Sequence, residues 1–222
     1  MEKYPFWLAL SDIHGRNIDK LTTLPGLAQA RGILFAGDFV RHDKHEACTA
    51  VEAISSINKR IMAVPGNSDD IEVEAFLEGK GLNVHRKVVE IATEAYLIGI
   101  GGSTTTGFNT PREYKEEDYA VWLNQLHQQV RGDSRLVLMS HTPPFDSGAD
   151  RILSGKHVGS TAIREFINRT QPDLCICGHV HESKTLEKHG RTTLLNAGSF
   201  MDGGYALIKL TPQGFEVDLK NV

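Results

Sequence analysis

Seven residues of the kinds that bind divalent cations follow short apolar runs: Asp12, His14, Asp38, Asn67, His141, His179 and His181. The runs span residues 6–10, 33–36, 61–64, 135–139 and 174–177, and each reads as a buried strand. Loops leaving the carboxyl ends of strands in an α/β sheet converge on one crevice, so side chains there can share a ligand. On extended backbone, side chains two apart point the same way, which lets Asp12 with His14, and His179 with His181, reach one centre. Gly37, Gly66 and Gly178, each preceding one of these residues, permit sharp turns and close backbone approach. A strand ending in Asp or Asn is often only a turn. Five such ends carrying four histidines are hard to reach by turn preference alone.

Two Asp, one Asn and four His make seven oxygen and nitrogen donors, too many for one tetrahedral ion. No thiolate is placed among them, and four imidazoles disfavour Mg²⁺ or Ca²⁺. The set suits two borderline divalent ions sharing a carboxylate: manganese first, with iron, zinc, nickel or cobalt as alternatives. Two such ions with two aspartates leave a site of about +2, which attracts a phosphate ester. A water shared by the ions would have its pKa lowered toward neutrality, making hydroxide available as a nucleophile.

The elements that must position these residues alternate between strand and helix. Residues 45–58 carry Ala47, Val51, Ile54 and Ile57 at helical spacing, and 70–80 form a second candidate helix. Thr110-Pro111-Arg112-Glu113 has the form of a capping box, followed by a stripe of Tyr119, Leu123, Leu126 and Val130. Ser160 is a good N-cap for a helix over 161–169. Segments 88–91 and 96–100 read as adjacent strands, and after His181 four more strands follow, with turns at His189-Gly190 and Pro212-Gln213-Gly214. The pattern predicts an α/β fold: two sheets packed face to face, largely parallel at the centre, with helices outside.

With 222 residues, 40% apolar and 23% charged, the chain can bury a full core without staples. The absence of linkers and repeats reads as a single domain over 1–222. A formal charge of −4 lacks the basic field of a dedicated nucleic-acid binder, and no apolar run approaches the ~20 residues that span a bilayer. The first residues reach Ser11-Asp12 without a signal-peptide cleavage pattern. Cys48, Cys175 and Cys177 have no framework spacing and read as buried packing. The expectation is a cytoplasmic protein with a small-molecule partner, no membrane and no nucleic acid; the sequence does not set its oligomeric state.

Asp12-x-His14, Gly37-Asp38, Gly66-Asn67, His141 and Gly178-His179-x-His181 resemble, in order and spacing, the five-block signature of calcineurin-like metallophosphoesterases. The likeness runs over about residues 6–200 and looks nearest to small prokaryotic stand-alone phosphoesterases. It implies a two-sheet β-sandwich flanked by helices, four layers in the order α/β/β/α, with a dinuclear centre at the strand ends. By the same resemblance Asp12, His14 and His181 hold one ion, Asn67, His141 and His179 hold the other, and Asp38 bridges both. The implied activity is metal-dependent hydrolysis of phosphate esters, phosphodiesters foremost, with a bridging hydroxide as nucleophile. Asn67, His141 and His157 are the candidate catalytic residues.

One block departs from the family pattern. Many members carry His after the Asn of the third block, where it assists the phosphate and the leaving group. Here the block reads Gly66-Asn67-Ser68-Asp69, so the metal ligand survives and the usual acid does not. His157, in a Gly-flanked loop before the Ser160 helix start, is a candidate substrate contact from another loop, although such a residue is as often a surface histidine. Arg41 and His42 could touch a phosphate. His45, His85, His127 and His189 receive no role. Residues 101–109 read as a polar loop, either a lid or a tolerated surface segment. Other readings are a non-catalytic metal-binding scaffold on the same fold, a phosphomonoesterase, or a nuclease, the last poorly supported by the acidic charge.

Overall fold

A computed structural model describes residues 4–41 and 43–222. In the first sheet the strand order is β11-β10-β1-β2-β3. β1 is Phe6–Leu10, β2 Gly32–Phe35, β3 Ile61–Ala63, β10 Gly204–Thr211 and β11 Gly214–Asn221. β1, β2 and β3 run parallel, with Leu8 opposite Ile33 and Leu34 opposite Met62, while β10 pairs antiparallel with both β1 and β11. In the second sheet the order is β4-β5-β6-β7-β9-β8. These are Lys87–Ala92, Ala95–Ile100, Arg135–Ser140, Leu174–Cys177, Thr192–Asn196 and Thr185–His189 respectively. β5, β6, β7 and β9 are parallel, and β4 and β8 close the edges antiparallel.

Alternation along each strand decides the layering. In β1, Phe6, Leu8 and Leu10 pack toward α1 (Ile18–Thr22), α2 (Lys44–Ser55) and α3 (Ile71–Gly79) through Leu21, Val51, Ile54, Val73 and Leu77. Trp7 and Ala9 face the opposite way, into a second core with Leu97, Val137, Met139, Ile176 and Leu195 of the other sheet. The far side of that sheet, including Ile98, Leu138, Cys175 and Cys177, is covered by α4 (Glu116–His127) and α5 (Thr161–Thr170). Central strands buried on both faces are apolar at nearly every position, as parallel sheets between helices require. The result is the expected α/β/β/α sandwich.

Most helix limits follow the local chemistry. Asp70 caps α3 by accepting from the Glu72 and Val73 amides, and the Ser160 hydroxyl accepts from the Ile163 amide to cap α5. Glu116, at the start of α4, adds acceptors for the Thr161 and Ala162 amides and the Ser160 hydroxyl, fastening the two helices together.

Three expectations need correction. α2 ends before Ile57, which is exposed. Thr110 to Glu113 does not open a helix: α4 begins at Glu116, with the Asp118 carboxylate accepting from the Lys115 amide. The reciprocal side-chain bond does form, since Glu113 accepts from the Thr110 amide and hydroxyl and from Thr106. It ties a loop instead, and Glu113 bridges back to Ser103. Cys48 is only half-buried, because its side of α2 turns partly away from the sheet. Cys175 and Cys177 are buried as expected, and burial pushes the Cys175 thiol up to about 12.

Candidate metal centre

The carboxyl ends of β1, β2 and β3 meet those of β6 and β7 at one edge of the sandwich. Side chains reach it from sharply bent backbone, which corrects the expectation of extended chain. Asp12, His14, Asp38 and His179 all have positive φ, from 45° to 69°. An L-residue in this left-handed region costs about 1 kcal/mol or more. Hydrogen bonds between loops hold it there: the Asp12 amide donates to Gly37 O at 2.8 Å and the His14 amide to Asp38 O at 3.2 Å. The His179 amide donates to the Asp12 carboxylate at 3.1 Å. Close approach requires glycine at two points. A Cβ on Gly66 would collide with the Asp38 carboxylate, and one on Gly178 would come within 2.6 Å of Ser11 Oγ and closer still to the Asp12 carboxylate.

The predicted ligands converge. Asp12, His14 and His181 bring one ligand atom each within 4.8 Å of one another, and so do Asp12, Asp38 and His141. His181 Nε2 lies 3.3 Å from both Asp12 Oδ1 and His14 Nε2. Asp38 faces both groups: its Oδ2 is 3.5 Å from His14 Nε2 and its Oδ1 is 3.5 Å from His141 Nε2. Asn67 Oδ1 lies 2.9 Å from His141 Nε2, and the His179 ring centroid lies 5.1 Å from that of His141.

Ring orientation favours a cation. His14 Nδ1 donates to Val40 O at 3.1 Å and His141 Nδ1 to Ala36 O at 2.7 Å, which leaves each Nε2 lone pair turned into the cluster. Two buried carboxylates and inward-facing imidazole nitrogens form a set of acceptors that one or more divalent ions would satisfy. Hydrogen bonds and charges within the set also shift its protonation. Burial alone would push the Asp12 carboxyl up, but its His181 hydrogen bond and the His141 and His181 charges hold it well below the usual range. The bond to Asp12 lifts His181 to about 9, whereas burial, together with the charge of His141, depresses His179 to about 4.

The remaining predicted residues separate clearly. His157 lines a cavity of about 600 Å³ together with Asn67, His179 and His181. Thr104, Thr105, Thr106 and Phe108 form another wall of it, so the 101–109 loop borders the site. Arg41 is exposed and lies outside the cavity walls, and His42 lies outside the described residues. His45 is exposed on α2, His127 packs edge-on against Phe166, and His189 contacts Arg164 and Asn168. His85, in the short segment between α3 and β4, is buried, and its Nδ1 accepts from the Gly101 amide at 2.8 Å.

Two carboxylates escape a reading of sequence alone. Asp69 is fully buried and accepts from the Asp38, Phe39, Val40 and Gly66 amides, locking the second and third ligand loops together. Burial and the Asp38 charge raise its carboxyl to about 7. Its place right after Asn67-Ser68 is the available signal. Asp150, also fully buried, lies 2.6 Å from His157 Nδ1, and nothing in its flanking sequence marks it.

A sequence profile of calcineurin-like phosphoesterases matches residues 8–183, which include all seven convergent side chains. The chain belongs to the calcineurin-like phosphoesterase family. An uncharacterized protein of Methanocaldococcus jannaschii is 34% identical over 202 residues, covering 88% of this chain and 89% of its own length. Among solved structures, the protein TT1561 of Thermus thermophilus superposes with a TM-score of 0.75 at 19% identity, covering 99% of both chains. A dimetal phosphatase from Danio rerio superposes with a TM-score of 0.69 at 10% identity, again covering 99% of both. Likeness at these identities speaks to the fold. The family is metal-dependent, and the donor set at the strand ends suits such a role. Among the described residues no helix is long and apolar enough to cross a membrane.

Proposed function

We propose that this member of the calcineurin-like phosphoesterase family hydrolyses small phosphodiesters with two divalent metal ions, manganese first among them. Asp12, His14 and His181 would hold one ion, Asn67, His141 and His179 the other, with Asp38 between them. The observation that carries this reading is the two-sided Asp38 carboxylate, one oxygen toward His14 and the other toward His141. When bound, the ions supply Lewis-acid polarisation of the phosphate and a lowered pKa for water.

The chain's own groups do the rest. Val40 O and Ala36 O fix the imidazole tautomers of His14 and His141, and Asp69 fixes the loops that carry Asp38 and Asn67. Asn67 and His141 border the position of the phosphate, where amide and imidazole dipoles steady developing charge. Support for a diester over a monoester comes from the cavity wall. Phe108 and Phe145 line it and are exposed, and Lys156 is its only Lys or Arg among the described residues. Such a wall suits a second organic ester group better than the extra charge of a terminal phosphate. A cytoplasmic setting accords with the reading and is part of the proposal.

The test is metal analysis of the purified protein with turnover of bis-p-nitrophenyl phosphate and p-nitrophenyl phosphate across the candidate metals. Two ions per chain with faster diester turnover is the expected result. Tight metal binding without turnover of either ester would favour the scaffold reading, and a preference for the monoester would reverse the substrate class.

A further inference from the structure

The loop between β6 and α5 folds back on itself. Arg151 and His157 pair across an antiparallel bridge, the Val158 amide donates to Asp150 O, and the Ile152 amide donates to Lys156 O. Beneath this hairpin, the Asp150 carboxylate accepts from the Ser147, Asp146 and Gly159 amides at 2.9, 3.1 and 2.9 Å. Those bonds already organise the loop. His157, whose Nδ1 is the fourth partner at 2.6 Å, also lines the cavity with Asn67, His179 and His181. A carboxylate on Nδ1 sets the ring so that Nδ1–H points inward and Nε2 outward.

We propose that His157 donates a proton to the departing alcohol, with Asp150 as its positioning residue, so that the substrates include esters of unactivated alcohols. This rests on the phosphoesterase reading above. Ser68, at the family's usual acid position, is engaged elsewhere, donating to Asp38 through its hydroxyl and amide. As water forms the new bond to phosphorus and sheds a proton to solvent, the ester P–O bond breaks and its electron pair stays on the alcohol oxygen. That oxygen takes the Nε2 proton of His157. The neutral ring keeps its Nδ1–H bond to Asp150 and regains its proton from solvent. The titratable and charged groups around the ring are Asp150, Asp146 (Oδ1 3.8 Å from Nε2) and, lining the same cavity, Lys156, Glu182, His179 and His181.

The experiment uses metal-loaded full chain and two methyl phosphodiesters, one with a 4-nitrophenyl and one with a phenyl leaving group. His157→Ala should lower kcat/KM for the phenyl ester by ~10²–10⁴-fold and for the nitrophenyl ester by less than about tenfold. Asp150→Asn should act in the same direction on kcat with KM held. The wild type should show an alkaline fall in kcat/KM on the phenyl ester that His157→Ala lacks. Imidazole ¹⁵N shifts of the metal-free protein should show Nδ1 protonated in the wild type and mixed tautomers in Asp150→Asn. Should Asp150→Asn not fold, the His157→Ala kinetics and the wild-type shifts decide. Equal losses on both esters, or no loss on either, overturn the assignment and leave the phosphoesterase reading intact. A wild type that hydrolyses neither ester with any metal overturns both.

Discussion

Ser68 donates twice to Asp38, its amide to Oδ1 at 2.8 Å and its hydroxyl to Oδ2 at 3.0 Å. Ser68 therefore aims the carboxylate placed between the two proposed ligand groups. Groups bonded to a metal-ligating carboxylate fix its direction, and losing one typically costs 10–100-fold in metal affinity. Ser68→Ala should weaken metal binding by about that factor, measured by competition with a chromophoric chelator. Ser68→His should weaken it as well and should not raise turnover of unactivated esters. A Ser68→His variant that gains such turnover while keeping its metals would return the acid role to this position.

Asp38→Asn should do more damage than loss of a terminal ligand. Its two oxygens face His14 and His141, so under the proposed two-ion reading a single substitution would weaken both ion positions and remove the negative charge separating the cations. After dialysis, metal analysis of Asp38→Asn should give less than one ion per chain, against about one for His14→Ala. Asp12 also belongs to both convergent groups, but its carboxylate engages His181 and the His179 amide. If Asp12→Asn loses both ions and Asp38→Asn keeps two, the bridging role belongs to Asp12.

The strands and their polar ends were legible because a buried parallel strand must be apolar throughout, so the first ligand-type residue marks where it leaves the core. Backbone shape at those ends was not legible. Asp12, His14, Asp38 and His179 adopt positive φ where bonds from other loops hold them: Gly37 O and Asp38 O accept from the first two, and the Asp69 and Asp12 carboxylates accept from the Asp38 and His179 amides. Thr110 to Glu113 shows the same limit from another side. Its side-chain bonds form as the motif demands, yet buried Arg112 bonds the carbonyls of Asp69 and Asp70 and pairs with Glu74, which holds the segment as a loop against α3. Asp69 and Asp150 were hard to read as functional carboxylates because all four partners of Asp69 and most of those of Asp150 are backbone amides, which every residue type supplies.

Asp69 supports four buried amides at 2.7 to 3.1 Å, so its removal should be felt in the fold as well as the site. A buried donor left without an acceptor costs about 1–3 kcal/mol, and water entering the vacated space recovers part of that. Asp69→Ala should lose about 3–5 kcal/mol, read from urea unfolding of the metal-free protein. Asp69→Asn, retaining one oxygen, should fall between it and the wild type. A stability within about 1 kcal/mol of wild type for Asp69→Ala would mean the loops hold without it.

His85 supplies a pH dependence remote from the ligand cluster. Burial, reinforced by the charges of Arg112, Arg86 and Lys87, depresses its imidazole to about 3 from an ordinary 6.5. The folded ring stays neutral, accepting from the Gly101 amide and packed near Tyr114 and Trp122. Below about pH 6.5 the unfolded chain binds a proton there that the folded chain refuses, so this contribution is complete above 6.5 and is lost as pH falls toward 3. Between pH 7.5 and 5 the loss should approach about 2 kcal/mol. His85→Asn keeps an acceptor for Gly101 and removes the titration. Its stability should start lower at pH 7.5, because ring packing is gone, and should decline less on acidification. Denaturant midpoints of both proteins at several pH values in this range make the comparison. Parallel declines would show that the acid sensitivity resides in other groups.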